Sequence, residues 1–132
     1  MARTLAATAL AAMAVSGCGG RDDPPARTVT VESGATVTVG GDEYSFDPGR
    51  IVLRAAGSAE VRLTLRNTGT LAHNLRVFQG ARMVGGTPTF RPGDSRSVAL
   101  RLAPGSYRLV CTVGEHAKLG MRGTLESRPA RR

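Results

Sequence analysis

Val61-Arg62-Leu63-Thr64-Leu65-Arg66-Asn67-Thr68-Gly69-Thr70 sets three aliphatic residues in strict alternation with polar ones, then stops at a turn. Successive side chains of a strand point to opposite faces, so this period of two puts Val61, Leu63 and Leu65 on one buried face and Arg62, Thr64 and Arg66 on the other. The same alternation runs outward in both directions. Upstream are Val29 and Val31, then Val37 and Val39, then Ile51-Val52-Leu53 after the turn Tyr44-Ser45-Phe46-Asp47-Pro48-Gly49. Downstream are His73, Leu75 and Val77, then Val98, Leu100 and Leu102, then Tyr107, Leu109 and Cys111, and finally Met121, Gly123 and Leu125. Arg91-Pro92-Gly93-Asp94 and Ala103-Pro104-Gly105 supply turns between them. No segment has a helical period and no internal repeat is visible. The pattern predicts an all-β fold, an antiparallel sandwich of about seven or eight strands.

The chain has 132 residues, enough for one domain with a real core. A hydrophobic share of 41% against 21% charged marks it as globular. With only three Phe, two Tyr and no Trp, the core has to come from Val, Leu and Ile, which suits strands. The net charge is +8, and Lys118 is the only lysine among 18 cations. The arginines stand singly along the alternating segments, as on solvated strand faces, and no RNA-binding aromatic signature, finger or helix-turn-helix pattern accompanies them. Nucleic acid is therefore not an expected partner. A basic surface does favour acidic proteins or anionic lipid.

The first residues read as an address. Arg3 precedes an apolar, alanine-rich run from Leu5 to Val15, which ends in Val15-Ser16-Gly17-Cys18. The run is short for a membrane span, and its end resembles the lipobox of bacterial lipoproteins, with cleavage before Cys18 and lipid on its sulfur. Ordinary secretion with cleavage after Ala12-Met13-Ala14 is the alternative. Either way the mature chain works across the cytoplasmic membrane, lipid-anchored at the envelope in the first case. Residues 1–17 are then the leader and 18–27 the lipidated cysteine and a Gly-, Pro- and charge-rich tether. Residues 28–127 form the domain and 128–132 a basic tail.

His73, Cys111 and Met121 fall in phase with the apolar faces of their strands, so all three point inward. His116 lies on the loop between the last two, in the run Cys111-Thr112-Val113-Gly114-Glu115-His116-Ala117-Lys118-Leu119-Gly120-Met121. One loop can thus fold a thiol, an imidazole and a thioether around one point, with His73 completing the set. Two imidazoles and a thiolate with a weak axial thioether suit copper in both oxidation states. Each residue has a plainer reading alone. His73 could be a hydrogen-bonded strand-end histidine, Cys111 a buried thiol or a disulfide partner of Cys18, Met121 core filling and His116 an exposed loop residue. Together those readings weaken, because the chain has two histidines and both fall at ligand positions. A structural zinc site wants four strong ligands, and a thioether is a poor fourth.

The stretch Asn67-Thr68-Gly69-Thr70-Leu71-Ala72-His73-Asn74 resembles the first-ligand segment of the blue copper proteins, the cupredoxins, such as plastocyanins, auracyanins and azurins. Cys111 to Gly123, closing on Gly120-Met121-Arg122-Gly123, resembles their ligand loop, and Tyr44-Ser45-Phe46-Asp47-Pro48 is similar to their second strand. The resemblance spans Tyr44 to Glu126. It implies a Greek-key sandwich holding one copper ion, Cu(I) or Cu(II), at one end through His73, Cys111, His116 and Met121. It implies that Asn74 ties the two ligand segments together near the sulfur, and that the loop histidine reaches the surface while the first is enclosed. Ala72 stands where the family often has proline, and the His116 spacing is closer to auracyanin than to plant plastocyanin.

No nucleophile elbow, paired carboxylates, phosphate loop or second set of histidines is present, so an enzyme is not expected and no residue is assigned a catalytic role. The leading expectation is a monomeric one-electron carrier outside the cytoplasm. The alternative is a copper-binding protein for delivery or tolerance. Ala117 and Leu119 beside His116 are expected to form an apolar docking rim, with Lys118 helping to steer an acidic redox partner.

Overall fold

The computed structural model describes residues 25–130. The leader 1–17 and Cys18 lie outside the described residues, as do 19–24 and 131–132. Ten strands are present among those described: β1 (Thr28–Glu32), β2 (Ala35–Asp42), β3 (Ser45–Asp47), β4 (Arg50–Ala55), β5 (Ala59–Asn67), β6 (Arg76–Gln79), β7 (Arg82–Gly86), β8 (Ser95–Leu102), β9 (Gly105–Val110) and β10 (Arg122–Pro129). One sheet has six strands in the order β1-β4-β10-β9-β6-β7, the other four in the order β3-β2-β5-β8.

The all-β sandwich expected from the alternation is present, with three differences. Both sheets are mixed: β4 runs parallel to β1 and to β10, and β2 runs parallel to β5. A parallel pair needs a crossover, and each crossover here passes through the opposite sheet. β1 reaches β4 by way of β2 and β3, so sequence neighbours separate and parallel strands become spatial neighbours. The strand count also exceeds seven or eight. β7 has no alternation to reveal it, with Arg82 and Met83 exposed and Gly85 and Gly86 at its end. Gly85 is there for packing: a Cβ on it would stand 2.5 Å from the Leu100 side chain of β8. The tail also begins later than expected, since Arg128 and Pro129 still pair with Arg54 and Ala55 of β4.

β5 shows how sequence becomes core. Ala59, Val61, Leu63, Leu65 and Asn67 are buried, and Glu60, Arg62 and Arg66 are exposed. Val37 and Val39 of β2, Ile51 and Leu53 of β4, Leu100 and Leu102 of β8, Tyr107 and Leu109 of β9 and Leu125 of β10 meet them from both sheets. Burying a side chain of this size contributes about 1.5–3 kcal/mol, so the interleaved aliphatics carry the sandwich without a large aromatic contribution. The outward arginines stay in water, as the alternation requires.

Strand direction fixes where the ends lie. β10 starts immediately after Met121, and Thr124 on it aligns with Arg50 at the start of β4. Arg50 in turn aligns with Thr28 at the start of β1. The chain therefore enters the sandwich at the same end at which Met121 is placed.

Candidate metal centre

The site sits at that end, where two connections cross. The first runs from β5 to β6 and carries His73. Asn67, buried at the end of β5, shapes it: its Nδ2 donates to the Leu71 carbonyl at 2.9 Å and the Phe90 carbonyl at 3.3 Å, and its Oδ1 accepts from the Gly69 amide at 3.1 Å. His73 then exchanges both backbone hydrogen bonds with Phe90, at 3.1 and 3.0 Å, which fixes its Cα direction inward.

The second connection runs from β9 to β10 and carries the other three residues. Cys111 N–H donates to the Met121 carbonyl at 3.1 Å, closing the base of the loop, and Met121 N–H donates to the His116 carbonyl at 3.0 Å. Inside this frame His116 N–H donates to Val113 and Leu119 N–H to Glu115, each at 3.1 Å. Gly114 (φ 46°) and Gly120 (φ 119°) supply left-handed backbone that other residues adopt only under strain. The loop is thus a tight, internally bonded coil that delivers Cys111, His116 and Met121 to one side.

His73 Nδ1 lies 3.2 Å from His116 Nδ1 and 4.0 Å from Cys111 Sγ, and His116 Nδ1 lies 3.6 Å from the same sulfur. Metal–nitrogen bonds of about 2.0 Å and metal–sulfur bonds of about 2.3 Å in a plane would set such edges near 3.5 and 3.7 Å, so the triangle is the size of a single ion. His73, Cys111 and Met121 are fully buried, and His116 is 8% exposed. Met121 reaches the site's flank beside Gly41, where a Cβ would stand 3.3 Å from Met121 Cε and 3.0 Å from Leu65. The four residues read as ligands are therefore brought to one place. The loop histidine is the more accessible of the two, but it is nearly covered: the Tyr44 ring stands edge-on to it at 5.2 Å between centroids.

Burial holds the His73 pKa below its ordinary value, and proximity to His116 pushes the same way, while Glu43 opposes them. The imidazole is consequently neutral at physiological pH, the form that ligates metal. Its Nε2 is buried without a full hydrogen bond; the nearest carboxylate oxygen, Glu43 Oε1, is 3.4 Å away.

Asn74 spans the two ligand segments. Its Oδ1 accepts from the Thr112 amide at 2.9 Å, and its Nδ2 donates to the Thr112 and Thr89 hydroxyls, each at 2.9 Å. Thr112 directly follows Cys111, so Asn74 braces the peptide that carries the sulfur. On the outside, Leu71 is 41% and Leu119 57% exposed, and Ala117 is half-buried. Lys118 Nζ pairs with Glu115 Oε2 at 2.8 Å, so its charge is locally offset. Three residues that build the site were not singled out from sequence: Glu43, Tyr44 as a neighbour of His116, and Asn67 as the organiser of the first loop. Glu43 left no signal, because its partners lie far along the chain.

No family model matches the chain, and no curated protein matches it. Solved structures do. Auracyanin B is 25% identical with a TM-score of 0.66, covering 74% of this chain and 91% of its own. The fold is that of the cupredoxins. Rusticyanin, described as a copper protein, is 25% identical with a TM-score of 0.61 over 76% of this chain and 82% of its own. Auracyanin A of Chloroflexus aurantiacus, described as a blue copper protein, is 20% identical with a TM-score of 0.57 over 77% of this chain and all of its own. The cupredoxin fold thus accounts for the crossing sheets and for ligand loops gathered at one end.

Proposed function

We propose that this protein is a mononuclear blue-copper carrier of single electrons. The observation that carries the reading is the His73–Cys111–His116 triangle, sized for one ion, with Met121 placed by the same loop that holds Cys111 and His116. The donor set fits copper: two neutral imidazole nitrogens, one thiolate and a soft thioether. Copper held there would cycle between Cu(I) and Cu(II), taking and giving one electron. The chain supplies rigidity. Both ligand segments are bonded to each other through Asn74 and to their own sheets, so little needs to rearrange between the two states. Full burial of His73, Cys111 and Met121 favours retention of the metal, which supports a carrier over a delivery protein, and no residue is given a catalytic part.

Exchange of electrons takes place at the loop end. Leu71 and Leu119 frame His116 as an apolar rim, and a chain of net charge +8 favours an acidic redox protein as partner. The leader and Cys18 support export and lipid anchoring, which place the carrier at the cell envelope. The deciding experiment is addition of Cu(II) to the purified metal-free chain. One equivalent is expected to produce an intense visible band from copper–thiolate charge transfer. Binding without that band, or no binding, sinks the reading.

A further inference from the structure

The β2–β3 turn, Asp42-Glu43-Tyr44, contributes no ligand, yet it touches both histidines. Tyr44, at φ 64°, is the one described residue other than glycine with a positive φ, a conformation that costs energy and persists only where surroundings enforce it. It puts the Tyr44 ring against His116 and aims Glu43 at the His73 loop. Glu43 Oε1 accepts from the Thr70 amide at 2.6 Å and the Leu71 amide at 2.9 Å, and the same oxygen lies 3.4 Å from His73 Nε2. A side chain at Gly69 would collide with this carboxylate, so the loop leaves room for it. Two amides pin the charge in place, and the only buried ring nitrogen of His73 without a hydrogen bond faces it.

We propose that Glu43 is the positioning residue for His73: its carboxylate holds the ring proton on Nε2, so that the Nδ1 lone pair is directed at the metal, and its negative charge favours the oxidised ion. The geometry explains why the loop needs an acid rather than any hydrogen-bonding residue. Only a carboxylate accepts from two amides and a ring N–H without presenting a donor of its own. A fixed negative charge beside a ligand stabilises the more positive of two metal states, so its loss raises the reduction potential. This assignment rests on the blue-copper reading for its redox part and on the Glu43–His73 geometry for its tautomer part, and the two can be measured apart.

In the metal-free protein, nitrogen-15 NMR of the histidine rings is expected to find His73 protonated on Nε2, and Glu43→Ala to lose that preference together with hydrogen-exchange protection at Thr70 and Leu71. After addition of Cu(II), Glu43→Gln is expected to keep the visible band, because an acceptor oxygen remains, while its reduction potential moves upward. Glu43→Ala should also weaken metal binding by about 10-fold or more, as outer partners of ligating histidines commonly do. A wild-type His73 protonated on Nδ1 in the metal-free chain overturns the assignment. So does a Glu43→Gln potential equal to wild type, which would reduce Glu43 to a loop anchor. If wild type takes up copper without the visible band, the carrier reading falls, and the tautomer measurement, made without metal, still decides the role of Glu43.

Discussion

Cys111 is where the site is most exposed to a single change. Its sulfur closes two edges of the triangle, and the visible band depends on it. Cys111→Ser is expected to leave a folded, colourless protein, checked by circular dichroism alongside the absorption spectrum. Met121 is expected to play a different part: as a weak thioether donor it would tune the metal rather than hold it. Met121→Leu should keep copper and raise the reduction potential by voltammetry, since the oxidised ion loses a donor. A lower potential, or loss of the metal, would refute the axial role. Titration of the metal-free protein follows from the same neighbourhood. Burial lowers the pKa of His73 below 6.5, and hydrogen bonds from the Leu71 and Thr70 amides lower that of Glu43 below 4.5. In each case the unfolded chain binds a proton that the folded chain refuses. The stability contributed is thus fully present above the unfolded value and drains away as pH falls through the folded one. Urea midpoints of the metal-free chain should fall as pH drops below 6.5, and again below 4.5.

At the level of elements, the ligand loop was legible because chemistry concentrates there: Cys111, His116 and Met121 lie within one connection, and the strands either side alternate cleanly. The first-ligand segment was legible through His73 and Asn74. Its real organiser is Asn67, which reads in sequence as the first residue of an ordinary turn but is buried with three hydrogen bonds of its own. Asn67→Ala takes the donor from the Leu71 carbonyl, while the Phe90 carbonyl keeps the His73 N–H, and a group left unsatisfied when buried costs about 1–3 kcal/mol. Chemical denaturation should show a loss of that size, with the copper band broadened because His73 is less firmly placed. The strand pattern could not show that β1, β4 and β10 run parallel, because alternation specifies faces and not neighbours. Nor could it show β7, where Gly85 makes room for Leu100 of the facing sheet. Glu43 was invisible for a related reason: its three partners are brought to it by the crossing of the sheets.

For the molecule as a whole, charge is spread over the outward faces of both sheets, while the His116 loop exposes Leu119 beside the paired charges of Glu115 and Lys118. Attraction to an acidic partner is therefore expected to act at long range and to be screened by salt. Electron transfer to such a partner should slow as ionic strength rises. Lys118→Glu should slow it further without altering the spectrum, although the Glu115 pair already offsets part of that charge. A rate indifferent to both changes would leave apolar contact as the sole basis of docking.

The entry of β1 at the same end as Met121 bears on where an anchored copy would present its ligand loop. A lipid on Cys18 leaves the residues numbered 18–27 between membrane and sandwich, a leash that cannot exceed about 3.3–3.6 Å per residue. Because Thr28 lies at the same end as the ligand loop, a lipid on Cys18 would keep that end near the bilayer instead of holding it out at the far pole. Such a carrier meets membrane-bound donors and acceptors at an effective concentration set by tether length, not by how much of it the cell makes. A lipid-anchored form would thus serve only those partners whose own redox centres come within the reach of the tether.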